Sequence, residues 1–452
     1  MNAITNALRR RGACPGLSAP MQTGDGLLVR LAGAGATIGL DAAAALCAAA
    51  RRCGNGIIEV TARGSIQVRG LTAGSAPAFA DAVAALGIEA GDTVPILTDP
   101  LAGLEREPAM ESHRVAGALR QRLAGASFAA LLGPKVSVVI DGGSALHLDA
   151  IRADIRLRAC PDFAGWHVGL DGDATTATAI GSIAPTDAVE IVARLLETIA
   201  QHGSQARARD VIQRHGADAL RAAIADLLIE APGPAARPPS EPIGRQTLRD
   251  GSLGLGIGLA FGHIDAATLD GLIEAAGRAG ASGLRTAPER ALLVIGLAAD
   301  TAPALAAQAE NLGFITRPDD PRRGVVACAG APICASAEIP ARALGPLISR
   351  TAGCLLDGSL TVHVSGCPKG CAHPGSSALT IVGTKDGCGL IISGSARDPA
   401  GATIAAAALP SGLRRIAEEV ARANRPGETS AGTLARLGTA QLAAIFGAAR
   451  HG

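Results

Sequence analysis

The chain has 452 residues, a formal net charge of +1 and an apolar fraction of 48%, much of it alanine. Near-neutral charge removes a bulk electrostatic case for nucleic acid, and no tyrosine, one tryptophan and six phenylalanines leave little on which to stack bases. The length allows two or three domains with cores of their own, while the longest apolar runs, such as Ala42 to Ala50, fall far short of the ~20 residues that span a bilayer.

The first residues, MNAITNALRRRGACPG, carry arginines but no apolar stretch of signal-peptide type, so a soluble cytoplasmic protein is expected. The lack of acids before Asp25 is a feature shared with transit peptides. Gly24 to Leu71 then reads as strand, turn, helix after Asp41, Gly-rich turn, strand, Arg-bearing bend and strand. Ala130 to Gly143 reads as a buried strand running into a tight turn. Ala231 to Gly244 carries five prolines and reads as a linker.

The same sequence of features returns after the linker. Gly251 to Leu297 lines up with Gly24 to Leu71, with Asp265 in place of Asp41, and Cys354 to Cys367 lines up with Ala130 to Gly143. Each copy is a β-α-β-β unit, half of a ferredoxin-like sheet. Two copies can complete one another about a pseudo-two-fold axis. The expected fold is therefore α+β: half units at 15–85 and 246–305, larger α+β domains at 86–230 and 306–452, and a linker at 231–245. The tail from about Gly412 reads as two helices. GLGIGLAFG, Gly254 to Gly262, resembles a dinucleotide loop only in its glycine count, because the repeat demands a strand there.

Ten cysteines in a reducing compartment argue against a disulfide framework and make clustered thiols metal or redox candidates. Four stand as Cys328-x5-Cys334 and Cys367-x3-Cys371, in Gly/Pro-rich turns after strands. The first gap is too long for the usual zinc knuckle. Zinc, buried unconnected thiols and an iron–sulfur cluster all stay open on spacing alone. Cys47, Cys53, Cys160, Cys354 and Cys388 read as packing residues, and the role of Cys14 is open.

The pattern C-x5-C…C-x3-C in the second half of a repeated chain resembles the sulfite/nitrite reductase superfamily. That resemblance implies a [4Fe–4S] cluster on Cys328, Cys334, Cys367 and Cys371, with Cys371 at the position that bridges to sirohaem iron in the reductases. Two stretches depart from the reductases. An anion-binding arginine expected near Pro95 and Ile96 is missing, and Leu131 to Val139 keeps only Lys135 of two cations. Four further motifs, GACPGLSAPMQTGDGLLVRL, RGSIQVRG, LRTAPER and GCPKGCAHP, are similar to the precorrin-3B synthase family of that superfamily. What this implies is a cobalamin-pathway monooxygenase acting on precorrin-3A with O2. It would hydroxylate C20 and close a γ-lactone, with a [4Fe–4S] cluster and a mononuclear non-haem iron.

The tetrapyrrole would take the place of sirohaem, and NADH would supply electrons through a separate reductase, since the chain shows no dinucleotide site. A precorrin carries many carboxylates, which arginine grips in bidentate fashion. Arg63 and Arg69 in one copy and Arg285 and Arg290 in the other fall at corresponding bends and are the substrate-binding candidates, with Lys369 at the rim. Lys135 and His373 are the catalytic candidates; His373, two residues after Cys371, is the best-placed histidine for a second iron. The rivals are a sirohaem-dependent sulfite or nitrite reductase and a non-catalytic tetrapyrrole-binding electron-transfer protein.

Overall fold

In the computed structural model, which describes residues 15–31, 33, 35–88, 94–105, 110–160 and 163–448, the chain divides into two units. One holds residues 27–258 and 264–312 with a short stretch ending at Gln22; the other holds 313–452 with segments 23–26 and 259–263.

The first unit contains both half repeats. Strands β1 (Met21–Thr23) and β2 (Gly26–Leu31), helix α1 (Leu40–Cys53), strands β3 (Ile57–Val60) and β4 (Ile66–Leu71) and helix α2 (Ala76–Ala85) form the first. Between the copies lie β5 (Ile96–Thr98), α3 (Ser112–Ala124), β6 (Val138–Asp141), β7 (Ala153–Cys160), β8 (Gly165–Gly172), β9 (Thr178–Ile183), α4 (Ala188–Gln201), α5 (Ala208–His215), α6 (Asp218–Ala222) and β10 (Leu228–Ile229). The second copy is β11 (Gly244–Thr247), β12 (Leu253–Gly258), β13 (His263–Asp265), α7 (Ala266–Arg278), β14 (Gly283–Ala287), β15 (Ala291–Leu297) and α8 (Ala302–Asn311).

The two copies share their topology. In each, the last strand lies between the other two, as β2-β4-β3 and β12-β15-β14, all antiparallel, and the first strand slips register against the last. Helices α1 and α7 pack together, Ile38 bridges Leu284, and the Glu289 N–H donates to the Ala62 carbonyl at 3.0 Å. This reciprocal contact is the pseudo-two-fold pairing expected of the repeat. Gly254 to Gly258 is strand, as the repeat requires.

The larger α+β layer has strand order β10-β9-β8-β7-β6-β5, with β5, β6 and β7 parallel and the remainder antiparallel. Helix α4 buries Ile191, Val192, Leu195, Leu196 and Ile199 completely against it. Each such side chain contributes about 1.5–3 kcal/mol relative to exposure. The proline-rich stretch has no regular structure until β11 begins, yet it is tied down. Arg237 donates to Asp141 at 2.6 Å and Asp149 at 2.5 Å, and the Pro238 carbonyl lies 2.8 Å from His147 Nε2.

The second unit contains β16 (Val325–Ala327), α9 (Ala341–Thr351), β17 (Val362–Ser365), β18 (Ser377–Thr384), β19 (Gly387–Gly394), β20 (Ala402–Ile404), α10 (Leu409–Ala423) and α11 (Ser430–Gly447). Its sheet runs β16-β17-β18-β19-β20, and β16, β17 and β18 are parallel before two antiparallel steps. That is the pattern of β5 to β9. Leu413, Ile416, Leu442 and Phe446 from the two C-terminal helices close its core. Cys47, Cys53, Cys160 and Cys388 are buried as expected, whereas Cys354 is exposed: it falls in the turn after α9, where the chain runs along the surface. Cys14 lies outside the described residues. Among the described residues, no helix is long and apolar enough to cross a membrane.

Candidate metal centre and the arginines of the repeat

Parallel pairing explains why two distant cysteine pairs meet. Parallel neighbours end on the same side of a sheet, and β16 pairs with β17 through Ala327 opposite Val364. Cys328 leaves β16 immediately, its N–H donating to the Val364 carbonyl at 3.1 Å, and Cys367 follows β17 by two residues. Cys334 comes back from the first loop, its N–H donating to the Gly330 carbonyl at 2.8 Å. Cys371 lies on the second loop, which returns through the left-handed Gly370.

Glycines let these loops close on one another. A Cβ at Gly366 would lie 2.6 Å from the Ala337 Cβ, and one at Gly24 would lie 2.6 Å from the Cys334 sulfur. The Glu338 N–H donates to the Gly366 carbonyl at 2.7 Å, stitching the first loop to the second. The Gly366 N–H donates to the Cys328 sulfur at 3.1 Å. Burial pushes the Cys328 thiol up; this amide pulls it back, and the neighbouring Cys371 and Cys367 push it further.

These residues fit a cluster better than a single ion. Four sulfurs around one zinc would stand about 3.8 Å apart at a Zn–S distance of 2.3 Å. Among the described residues, no three of the thiols have sulfurs within 4.8 Å of one another. Thiolates around a cubane must be set wider, and an N–H donor to sulfur is the kind of bond that tunes such clusters.

His373 and His363 approach each other with ring centroids 5.6 Å apart, His363 fully buried on β17 and His373 with Nε2 3.3 Å from the Ser376 carbonyl. Among the described residues no two histidines and a carboxylate gather within 4.8 Å. The set that does gather is Asp141, His147 and Asp149. Arg237 bridges its two carboxylates, so it is an ion-pair anchor for the proline-rich stretch and does not fit iron. Lys369 donates to Ser336 at 2.8 Å and so joins the two cysteine loops.

In the first unit the two Arg-bearing bends abut. Gly64 sits against the Ala287 carbonyl and Pro288, where a Cβ would lie 3.0 Å from Ala287. Arg63 donates to the Arg152 carbonyl at 2.8 Å and to Ser137 at 3.2 Å, at the entrances to β7 and β6. Arg290 and its neighbour Glu289 both hold positive φ, 64° and 60°, an unfavourable backbone for side chains of this size. Among the described residues the half-buried Arg290 guanidinium makes no hydrogen bond, and burial lowers its pKa against the pull of Glu289.

Arg69 and Arg285 are placed differently. Arg69 pairs with Glu59 at 3.5 Å across the β3–β4 sheet. Arg285 is buried and donates to Thr37 at 2.7 Å and to the carbonyls of Pro100 and Ala102 at 3.0 and 2.8 Å. Lys135 is exposed in the turn before β6. The sequence reading missed Ser137 and Arg152 as partners of Arg63, Ser336 as the partner of Lys369, and Gly24 as a wall of the metal centre. Only Gly24 had a signal, a glycine in the turn just ahead of the first repeat strand.

Residues 19–86 match the family described as the nitrite/sulfite reductase ferredoxin-like half domain. The chain is 39% identical over 447 residues to the precorrin-3B synthase of Sinorhizobium sp, covering 98% of this chain and 96% of that protein. A ferredoxin sulfite reductase of Mycobacterium tuberculosis H37Rv is 27% identical over 224 residues, 45% of this chain and 40% of its own length. The solved structure of the Mycobacterium tuberculosis NirA protein shares the fold, with a TM-score of 0.75 at 19% identity over 92% of this chain and 84% of that one.

Proposed function

This chain belongs to the precorrin-3B synthase family, and from that premise we propose that it oxidises precorrin-3A with O2 in aerobic cobalamin biosynthesis. One oxygen atom becomes the C20 hydroxyl and the other leaves as water. Two electrons come from a donor, ultimately NADH through a separate reductase, and the ring A acetate closes the γ-lactone. The observation that carries the reading is likeness to a precorrin-3B synthase along nearly the whole chain, where the sulfite reductases match less than half of it.

Cys328, Cys334, Cys367 and Cys371 would hold a [4Fe–4S] cluster, which supplies one-electron transfer when bound. Gly366 steadies the Cys328 thiolate through its N–H, and the loop contacts of Lys369 and Glu338 fix the spacing of the two thiol pairs. Arg290 has its donors unspent among the described residues, and a strained turn that holds a cation in place is supported as a carboxylate grip. Arg63 orients the adjoining bend through Ser137 and Arg152, next to Arg290, and belongs to the proposed substrate-binding set. Arg69, Arg285, Lys369, Lys135 and His373 complete the proposed substrate-binding and catalytic set, Arg285 acting through the 100–102 loop it holds. We further assign 15–85 and 246–305 as the ferredoxin-like halves, 86–230 and 306–452 as the larger domains, 231–245 as the linker, and the cytoplasm as the site of action.

Turnover of precorrin-3A by anaerobically purified protein, given O2 and a reducing system, tests the reading. A product heavier by one oxygen atom supports it. Sirohaem bands together with sulfite or nitrite reduction would overturn it.

A further inference from the structure

The loops that lead into the two repeat helices differ by one large side chain. In the second copy the loop before α7 carries Phe261, whose ring packs on α9 so closely that a Cβ at Gly345 would lie 2.9 Å from it. β5 and α3 stand in the first half where β16 and α9 stand in the second, since β5 pairs with β6 as β16 pairs with β17. There the loop before α1 reads GAGAT, Gly33 to Thr37, with nothing larger than threonine to lay on α3. The loop has no room to sink further: a Cβ at Gly35 would lie 2.0 Å from the Thr98 hydroxyl oxygen. Between this loop, α3 and the end of β5 there is a cavity of about 300 Å³, at the lower end of the size range of small-molecule sites.

Its walls favour negative charge. Arg120 and His113 line it from α3, Thr37, Thr98 and Thr286 add hydroxyls, and no carboxylate is among the described lining residues. Arg120 is held in place by the Ile96 carbonyl, to which its Nη2 donates at 3.2 Å. The His113 ring packs beside Gly103, where a Cβ would lie 3.1 Å from its Cε1, and its buried Nδ1 has no hydrogen-bond partner among the described residues. Thr37 Oγ1 accepts from Arg285 Nε at 2.7 Å, so its own proton is turned elsewhere. Gly39, also in the wall, begins α1 without a side-chain cap, and the first-turn N–H groups add to the same sign. Asp41, the acid of that turn, is exposed and outside the wall. Leu86 and Ile88 supply apolar surface.

We propose that this cavity binds a small organic carboxylate, with its charged head on Arg120, His113 and the threonine hydroxyls and its apolar body on Leu86 and Ile88. Arginine offers the planar fork that a carboxylate matches, and a buried imidazole nitrogen without a partner costs stability that a ligand oxygen or hydroxyl returns. The proposal does not rest on the reaction proposed above: none of the residues named as ligands belongs to the proposed substrate-binding or catalytic set. The second half has no counterpart, because Phe261 occupies the corresponding place on α9.

The probe is 4-bromobenzoate, with 4-bromobenzamide as the neutral molecule of the same shape. Calorimetry on the full chain should show the benzoate bound and the amide weaker by roughly tenfold or more, the worth of hydrogen bonds to a charged group. Arg120→Gln should weaken the benzoate by a similar factor. Ala42→Phe, which sets a ring into the cavity from α1 as Phe261 sets one on α9, should abolish binding. Arg290→Gln, in the proposed precorrin site, should leave it unchanged. Wild-type crystals soaked in the probe locate the bromine by its anomalous scattering, and the expected position lies between Thr98, Arg120 and Gly39. Equal affinity for acid and amide, affinity untouched by Ala42→Phe, no detectable binding of the benzoate, or a bromine found only elsewhere overturns the proposal. The wild-type comparison and the bromine position decide even if neither variant folds.

Discussion

Replacing Gly24 by alanine adds one methyl group at a place where the chain has no room for it. The new Cβ would lie 2.5 Å from the Ala335 nitrogen, 2.6 Å from the Cys334 sulfur and 2.9 Å from the Cys334 carbonyl carbon. Two of these neighbours are backbone, and the Gly24 carbonyl already accepts from the Ala335 N–H at 3.3 Å, so no flexible side chain can absorb the clash. Residues 334 and 335 have to move, taking the proposed cluster ligand Cys334 with them. Overpacking of this kind costs about 1–3 kcal/mol, which corresponds to a melting temperature lowered by roughly 3–10 °C. Iron per chain should fall from about four toward three, with faster bleaching of the cluster absorbance in air. The control uses the same chemistry with the opposite sign. A Cβ at Gly117, inside α3, meets nothing within 4 Å, so Gly117→Ala should stabilise by about 0.5–1 kcal/mol and leave iron unchanged. Unaltered iron and melting temperature in Gly24→Ala would refute the close approach of this turn to Cys334.

The two abutting arginines should separate by assay. Arg290→Gln is expected to raise KM for precorrin-3A by roughly tenfold or more, the worth of a hydrogen bond to a charged group, with no change in melting temperature, because it holds no described protein group. Arg63→Gln should raise KM and also lower the melting temperature, since Ser137 and Arg152 lose their donor. Arg237→Ala leaves the fully buried Asp141 without its cation; unfolding should become easier by about 3–5 kcal/mol, and limited proteolysis should cut within 231–243. Reconstitution of the apo chain with iron and sulfide should weaken as pH falls, because the Cys328 thiol sits above its ordinary range and must shed its proton to bind. Equal yields at about pH 8.5 and pH 6.5 would contradict that reading.

The repeat was legible because periodicity survives divergence. Short apolar strands β2 and β12, each followed by an amphipathic helix, α1 and α7, show it without any shared chemistry; the Asp expected to cap the first helix lies instead inside its first turn, with Gly39 at the N-cap. The thiol pairs were legible through their glycines and prolines. What spacing could not reveal was which arginine remains free after folding. Arg63 and Arg290 lie in bends, as the repeat suggests, but Arg69 and Arg285 lie within strands β4 and β14, where Glu59 of the neighbouring hairpin strand takes Arg69 and two carbonyls from a loop 185 and 183 residues earlier take Arg285. Arg237 was hidden for a related reason. A proline-rich stretch gives no hint that one of its side chains reaches two aspartates about ninety residues earlier.

The account turns on an oxygen atom placed on a tetrapyrrole, and labelled oxygen tests it most directly. Anaerobically purified protein is supplied with precorrin-3A and a one-electron donor, exposed to 18O2, and the product is weighed by mass spectrometry. The account predicts one labelled oxygen per product molecule, none from labelled water in the C20 hydroxyl, and no turnover once Cys328 or Cys367 is replaced by alanine. Unlabelled precorrin-3A recovered unchanged from protein that holds the cluster and reduces sulfite would contradict it.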